Sequence, residues 1–151
     1  MAASCPKDGT LIKPLFCYRA WGKCRRMNYF IVFIGGGLGA AARYGVNVLV
    51  PRLVGGDYPW HTMVINVTGC FIMGVLTEMM ALRLNVSNEM RLFLTTGVLG
   101  GYTTFSAFAL DFAYLVTKPD MTGAAGYVLA SVGLSLVACF VGLALVRALA
   151  A

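Results

Sequence analysis

The chain has 151 residues, 59% of them hydrophobic and 12% charged, with a mean hydropathy of +0.77. Soluble globular domains are nearer half apolar and a quarter charged, so this composition excludes a solvated disordered chain and leaves too little charge to clothe a soluble enzyme. At roughly 20 apolar residues per crossing, the length accommodates one compact membrane domain and no separate soluble one.

The net charge of +6 is concentrated at one end. Lys7, Lys13, Arg19, Lys23, Arg25 and Arg26 face Asp8 alone within residues 1–26, whereas the rest of the chain is nearly balanced. A basic leader on a neutral body offers no surface for nucleic acid, and the leader lacks the apolar core and cleavage site of a signal peptide. Residues 1–26 are therefore expected to form a basic extension, disordered or not in the native product, ahead of a membrane domain over 27–151. The cysteines Cys5, Cys17, Cys24, Cys70 and Cys139 include no CxxC pair, and His61 is the single histidine. Neither a zinc nor a redox site is expected from them.

The first apolar run extends from Met27 to Val50 and is expected to stop at Pro51, before a loop with Gly55-Gly56-Asp57 turn chemistry. Trp60 to Leu82 is the second, followed by the polar Asn85-Val86-Ser87-Asn88-Glu89 connection. Arg91 to Thr117 is the third, stopped by Lys118-Pro119-Asp120, and Met121 to Leu149 is the last. These runs predict an all-α integral membrane protein with four transmembrane helices, at about 27–50, 60–82, 91–117 and 121–149. At about 1.5 Å per residue each run reaches across a hydrocarbon core of about 30 Å.

Polar residues inside such runs are costly and therefore informative. Gly35-x-Gly37-x-x-Ala40 fits the loose dinucleotide pattern but has neither the flanking strand nor the ribose-binding acid. Small residues at this spacing instead let another helix approach closely. Arg43, near the end of its span, must snorkel, pair or face water. Asn66 sits mid-run with an amide that both donates and accepts, suited to joining helices or meeting a ligand. Gly100-Gly101 followed by Thr103-Thr104 disfavours a continuous helix and predicts a break at mid-membrane. Carbonyls freed there make a hard-oxygen site for a small cation. Beyond the break, Phe105, Phe108 and Phe112 share a face, and in the last run Tyr127, Ser131 and Ser135 form a hydroxyl stripe. Asp111 is a further costly residue near a span end.

Basic residues at the span ends give almost no orientation. Arg83, Arg91 and Arg147 lie on the N-terminal side against Arg52 and Lys118 on the other, so the body can insert either way up. The leader would override that balance and fix the N-terminus in the cytoplasm, so the working protein is expected to begin at or near Met27.

Taken together, the Gly-rich stretch ending Arg43-Tyr44, Asn66 followed by Gly69 and Gly74, and Gly97-x-x-Gly100-Gly101-x-Thr103-Thr104-Phe105-Ser106-x-Phe108 resemble the Fluc (CrcB-like) fluoride channel family. Ala107 and Tyr102 depart slightly from its pattern, and residues 1–26 lie outside it. The resemblance implies an antiparallel, dual-topology homodimer in the inner (plasma) membrane, conducting fluoride passively out of the cell and conferring fluoride resistance, with no enzymatic step. It implies a fluoride pore lined by Asn66, Phe105, Phe108, Thr104, Tyr127 and Ser131, with Arg43 at a vestibule or structural position. It also implies a structural sodium ion at the dimer interface, held by the backbone carbonyls of Gly100 and Thr103. The alternative is a small four-helix drug/proton exchanger, which needs a mid-membrane carboxylate in its first helix; that run contains none.

Overall fold

The computed structural model describes residues 14–55, 58–82, 86–119 and 121–150, with only the backbone described for 14–26. The described residues are helical and include no strand. Helix α1 spans Pro14–Val54 and α2 spans Trp60–Leu82. A short α3, Asn88–Arg91, leads into a π-helical stretch, Leu92–Leu99, and then α4, Gly100–Tyr102. Helix α5 spans Phe105–Val116 and α6 spans Met121–Ala150. Three helical segments, Met27–Val54, Trp60–Leu82 and Met121–Ala150, are each long and apolar enough to cross a membrane. The third expected span, Arg91 to Thr117 with a break, corresponds to a segment from Asn88 to Val116 that is divided into shorter helical pieces.

The first helix departs from expectation at both ends. It begins at Pro14, inside the segment assigned to the basic extension; residues 1–13 lie outside the described residues. It also runs through Pro51 to Val54. Proline removes its own donor and crowds the carbonyl four residues before it, but its φ is already helical, so one further turn can form beyond it. Its carbonyl accepts from the Gly55 N–H at 3.0 Å. Gly55 then ends the helix at φ +67, a left-handed conformation open to a residue without Cβ. The remaining turn residues of the expected loop, Gly56 and Asp57, lie outside the described residues.

Helices α2 and α6 pack against each other at backbone distance. A Cβ on Gly74 would run into the Cys139 carbonyl, and one on Gly142 would run into the Phe71 carbonyl. Small residues thus replace side-chain interdigitation by direct helix contact, as membrane interiors favour. At the far end Arg147 donates to Glu78 through Nε at 2.8 Å and through Nη2 at 3.2 Å, tying α6 to α2. Helix α1 lies along the π-helical stretch in the same intimate manner, Gly39 meeting the Val98 carbonyl. The entry to that stretch is capped conventionally, the Ser87 hydroxyl accepting from the Met90 N–H at 3.3 Å.

Candidate functional site

The interruption between α4 and α5 sits beside the middle of α2. Thr103 and Thr104 are extended, at φ −72, ψ 154 and φ −151, ψ 115. β-Branched residues tolerate that geometry well, and the two glycines just before them weaken helix propagation. An interruption strands backbone groups, and three of them find side-chain partners here. Asn66 Nδ2 donates to the Thr104 carbonyl at 3.0 Å, and the Thr104 N–H donates back to Asn66 Oδ1 at 2.9 Å. The Thr104 hydroxyl accepts from the Ala107 N–H at 3.2 Å, capping α5, and lies 3.2 Å from the Ser106 hydroxyl. Thr68 of α2 adds a second tie, its hydroxyl 3.0 Å from that of Tyr102.

These bonds change what the carbonyls upstream receive. In a continuous helix the Thr104 and Ala107 N–H groups would donate to the carbonyls of Gly100 and Thr103. Both donors are taken elsewhere, by Asn66 Oδ1 and by the Thr104 hydroxyl. The two carbonyls that the family resemblance names as oxygen ligands are thus among those whose helical donors are directed elsewhere. Gly100 is exposed at the surface of the single chain.

A groove of about 300 Å³ opens alongside the break, lined by Asn66, Cys70, Thr103, Thr104, Phe105, Phe108, Ser131, Val132, Ser135 and Leu136. It gathers Asn66, Thr104, Phe105, Phe108 and Ser131 from three separate stretches of sequence. The two aromatic rings differ in setting: Phe108 is 9% exposed and Phe105 77%. Their centroids are 5.4 Å apart and the planes are tilted by 42°. The Tyr127 ring stacks on Phe108 at 5.3 Å, which covers one face of that ring. Among the described residues, the buried hydroxyl oxygens of Ser131 and Ser135 make no hydrogen bond within 3.5 Å to another N or O atom.

Other expected members stand apart. Tyr127 is wholly buried, outside the groove lining, and its hydroxyl donates to Asp111 Oδ2 at 3.2 Å. Arg43 lines a different recess with Asn47, Tyr44, Ser106 and Leu110, and Thr104 borders both spaces. No carboxylate among the described residues pairs with Arg43. Phe112, on the expected aromatic face, is also absent from the groove. Conversely, Cys70 lines it although sequence reasoning did not select it, and so does Ser135, which the hydroxyl stripe included but the expected pore lining did not. Each lies four residues beyond a selected one, Asn66 or Ser131, so helical periodicity carried the signal.

The intramembrane acids have assigned partners. Glu78 is held by Arg147 and Asp111 by Tyr127. Among the described residues no group of three or more His, Cys, Asp or Glu side chains converges on a metal position.

A helical chain with three membrane-capable helices, an interrupted helical segment and an amide- and hydroxyl-bearing groove beside it is that of a multi-pass membrane protein. The chain belongs to the CrcB-like protein family (Camphor Resistance, CrcB), whose profile matches residues 30–143. It is 49% identical over 123 residues to the Fluoride-specific ion channel FluC of Rhodopseudomonas palustris (strain BisB5), covering 82% of this chain and 99% of that one. It is 50% identical over 121 residues to Fluoride-specific ion channel FluC 2 of Nitrobacter hamburgensis, covering 80% and 98%. A third relative, the FluC of Mesorhizobium japonicum, is 50% identical over 122 residues, covering 81% and 98%.

Proposed function

We propose that the chain forms a fluoride-selective channel that lets cytoplasmic fluoride leave the cell down its electrochemical gradient, giving fluoride resistance. The observation that carries this reading is the groove: it gathers Asn66, Thr104, Phe105, Phe108 and Ser131 beside the interrupted helix, in a chain about half identical to proteins named as fluoride-specific channels. The lining offers an amide, hydroxyls and aromatic rings and no formal positive charge. Hydroxyl and amide hydrogens meet an anion directly, and the electropositive edge of a phenyl ring does so without the strong hydration that a charged ring of residues would bring. The buried hydroxyls of Ser131 and Ser135, without an N or O partner among the described residues, support this reading.

Conduction breaks no covalent bond and consumes no cofactor. Fluoride that crosses the membrane as the neutral acid dissociates in the less acid cytoplasm and is trapped as the ion. A negative-inside potential then drives the anion outward by about 2.3 kcal/mol per 100 mV.

In this reading the pieces from Asn88 to Val116 together make a fourth crossing, interrupted near mid-membrane. Two copies associate in opposite orientations in the cell's inner membrane. The high exposure of Phe105 and the open side of the groove support a second copy completing the path. Gly100 and Thr103 carbonyls, from both copies, hold a sodium ion at the shared axis; their diverted helical donors make them suitable oxygen ligands. When bound, the ion supplies positive charge that offsets the cost of nearby anions. Tyr127 contributes by stacking on Phe108, and Arg43 by lining the recess that meets the groove at Thr104.

The test is reconstitution of the purified protein into liposomes loaded with fluoride and chloride, followed with ion-selective electrodes. Rapid loss of fluoride with retention of chloride is expected. Equal release of both ions would overturn the selectivity, and proton-coupled cation uptake would restore the exchanger alternative.

A further inference from the structure

The family resemblance implies that Asn66 lines the anion path, yet in the chain its amide is committed at both ends to one backbone residue. A primary amide presents an acceptor and a donor side by side. Only an extended residue presents its own N–H and C=O on the same edge; in a helix they point in opposite directions along the axis. Thr104, at φ −151 and ψ 115, has that extended form. Asn66 therefore recognises and holds the non-helical state of Thr104. The same bond removes the Thr104 N–H from the Gly100 carbonyl, its acceptor in a continuous helix.

We infer that Asn66 is a positioning residue for the central cation site: by occupying the Thr104 N–H it keeps the Gly100 carbonyl available to the ion, and so couples the anion groove to the cation cage. This rests on the sodium reading given under Proposed function. Without a side-chain acceptor at position 66, the Thr104 N–H has no partner in a medium that supplies none. The nearest remedy is return to the Gly100 carbonyl, which takes one oxygen from the cage in each copy. Aspartate differs from leucine in this respect, because a carboxyl oxygen still accepts from the Thr104 N–H.

The experiment compares wild type, Asn66→Leu and Asn66→Asp as purified full-length protein in detergent. Thermal unfolding and dimer content are followed while sodium replaces N-methylglucamine at constant ionic strength, and fluoride flux is measured in liposomes alongside. Both variants are expected to lose flux. Wild type and Asn66→Asp are expected to be stabilised by similar sodium concentrations, whereas Asn66→Leu should require at least about tenfold more, or fail to respond. An unchanged sodium response in Asn66→Leu overturns the coupling and leaves Asn66 as an anion ligand alone. Should Asn66→Leu not fold in any sodium concentration, Asn66→Met, which likewise lacks a strong acceptor, takes its place with the same two outcomes, and a lost sodium response in Asn66→Asp overturns the clamp. A wild type indifferent to sodium would sink the cation reading itself, whatever the variants do.

Discussion

Two regions of the chain solve the same problem in opposite ways. Helices α2 and α6 are continuous, satisfy their own backbone and meet through Gly74 and Gly142. The segment from Asn88 to Val116 passes from α to π to α geometry and opens at Thr103-Thr104. In hydrocarbon the first arrangement needs nothing from its neighbours, while the second must borrow hydrogen bonds. Here the loan comes from Asn66 of α2 and from the Thr104 side chain. Where a backbone needs outside partners, polar side chains are concentrated, and the groove lies there. Continuity thus makes α2 and α6 a scaffold, and interruption makes the third segment a site.

The comparison predicts its largest effect at the scaffold. Gly74→Leu places a side chain where a Cβ alone would already strike the Cys139 carbonyl. The obstacle is backbone, which cannot rotate aside, so overpacking here should exceed the usual cost of about 1–3 kcal/mol for an enlarged core residue. No monodisperse protein is expected after detergent extraction and size-exclusion chromatography. A normal elution profile would show that α2 and α6 can separate without loss of the fold.

At the interrupted segment the next effect is on flux rather than folding. Phe108→Ile keeps most of the apolar volume but removes the ring that stacks with Tyr127 and lines the groove. The electropositive edge goes with it. Fluoride efflux from liposomes is expected to fall severalfold or more, with the size-exclusion profile unchanged. Normal efflux in both Phe108→Ile and Phe105→Ile would reduce the aromatic pair to packing.

How much of this was legible in the sequence follows from the same contrast. The spans α2 and α6 were read to within a residue or two because long apolar runs bounded by polar residues fix a helix in a membrane. The interruption was legible from Gly100-Gly101 and Thr103-Thr104, since local propensity decides there. The π-helical stretch was not, because Leu92–Leu99 carries no signature of an i→i−5 ladder. Nor was the end of α1: Pro51 reads as a stop, yet Gly55 supplies it. In the site, helical spacing identified the polar and aromatic faces but gave no partners. The reciprocal pairing of Asn66 with Thr104 joins residues 38 apart, and the engagement of Tyr127 by Asp111 depends on how α5 and α6 pack. Both are tertiary facts that a pattern along one chain does not contain.

A smaller effect separates the backbone clamp from the side-chain cap. Thr104→Val keeps β-branching, and with it the extended backbone that Asn66 grips, but removes the oxygen that accepts from the Ala107 N–H. Loss of such a cap costs about 1 kcal/mol. A modestly lower thermal midpoint is expected, with efflux reduced less than in Phe108→Ile. If efflux instead vanishes while the midpoint holds, the hydroxyl meets the ion directly and its capping bond is secondary.

The smallest effect is expected at the far end of the scaffold, where Arg147 reaches Glu78. The bidentate geometry is good, but the Arg147 side chain is 67% exposed, and pairs so placed contribute little to stability. Arg147→Gln retains a donor for Glu78 while removing the charge, and Glu78 can take up a proton in place of its lost partner. The thermal midpoint should shift less than for Thr104→Val, and fluoride efflux should be unchanged, because neither residue lines the groove. Thermal unfolding and electrode-monitored efflux of the same preparation check both statements. A collapse of efflux without unfolding would mean that the Glu78 carboxylate takes part in transport, and the division between an inert helical scaffold and a functional interruption would fail at the one acid buried within it.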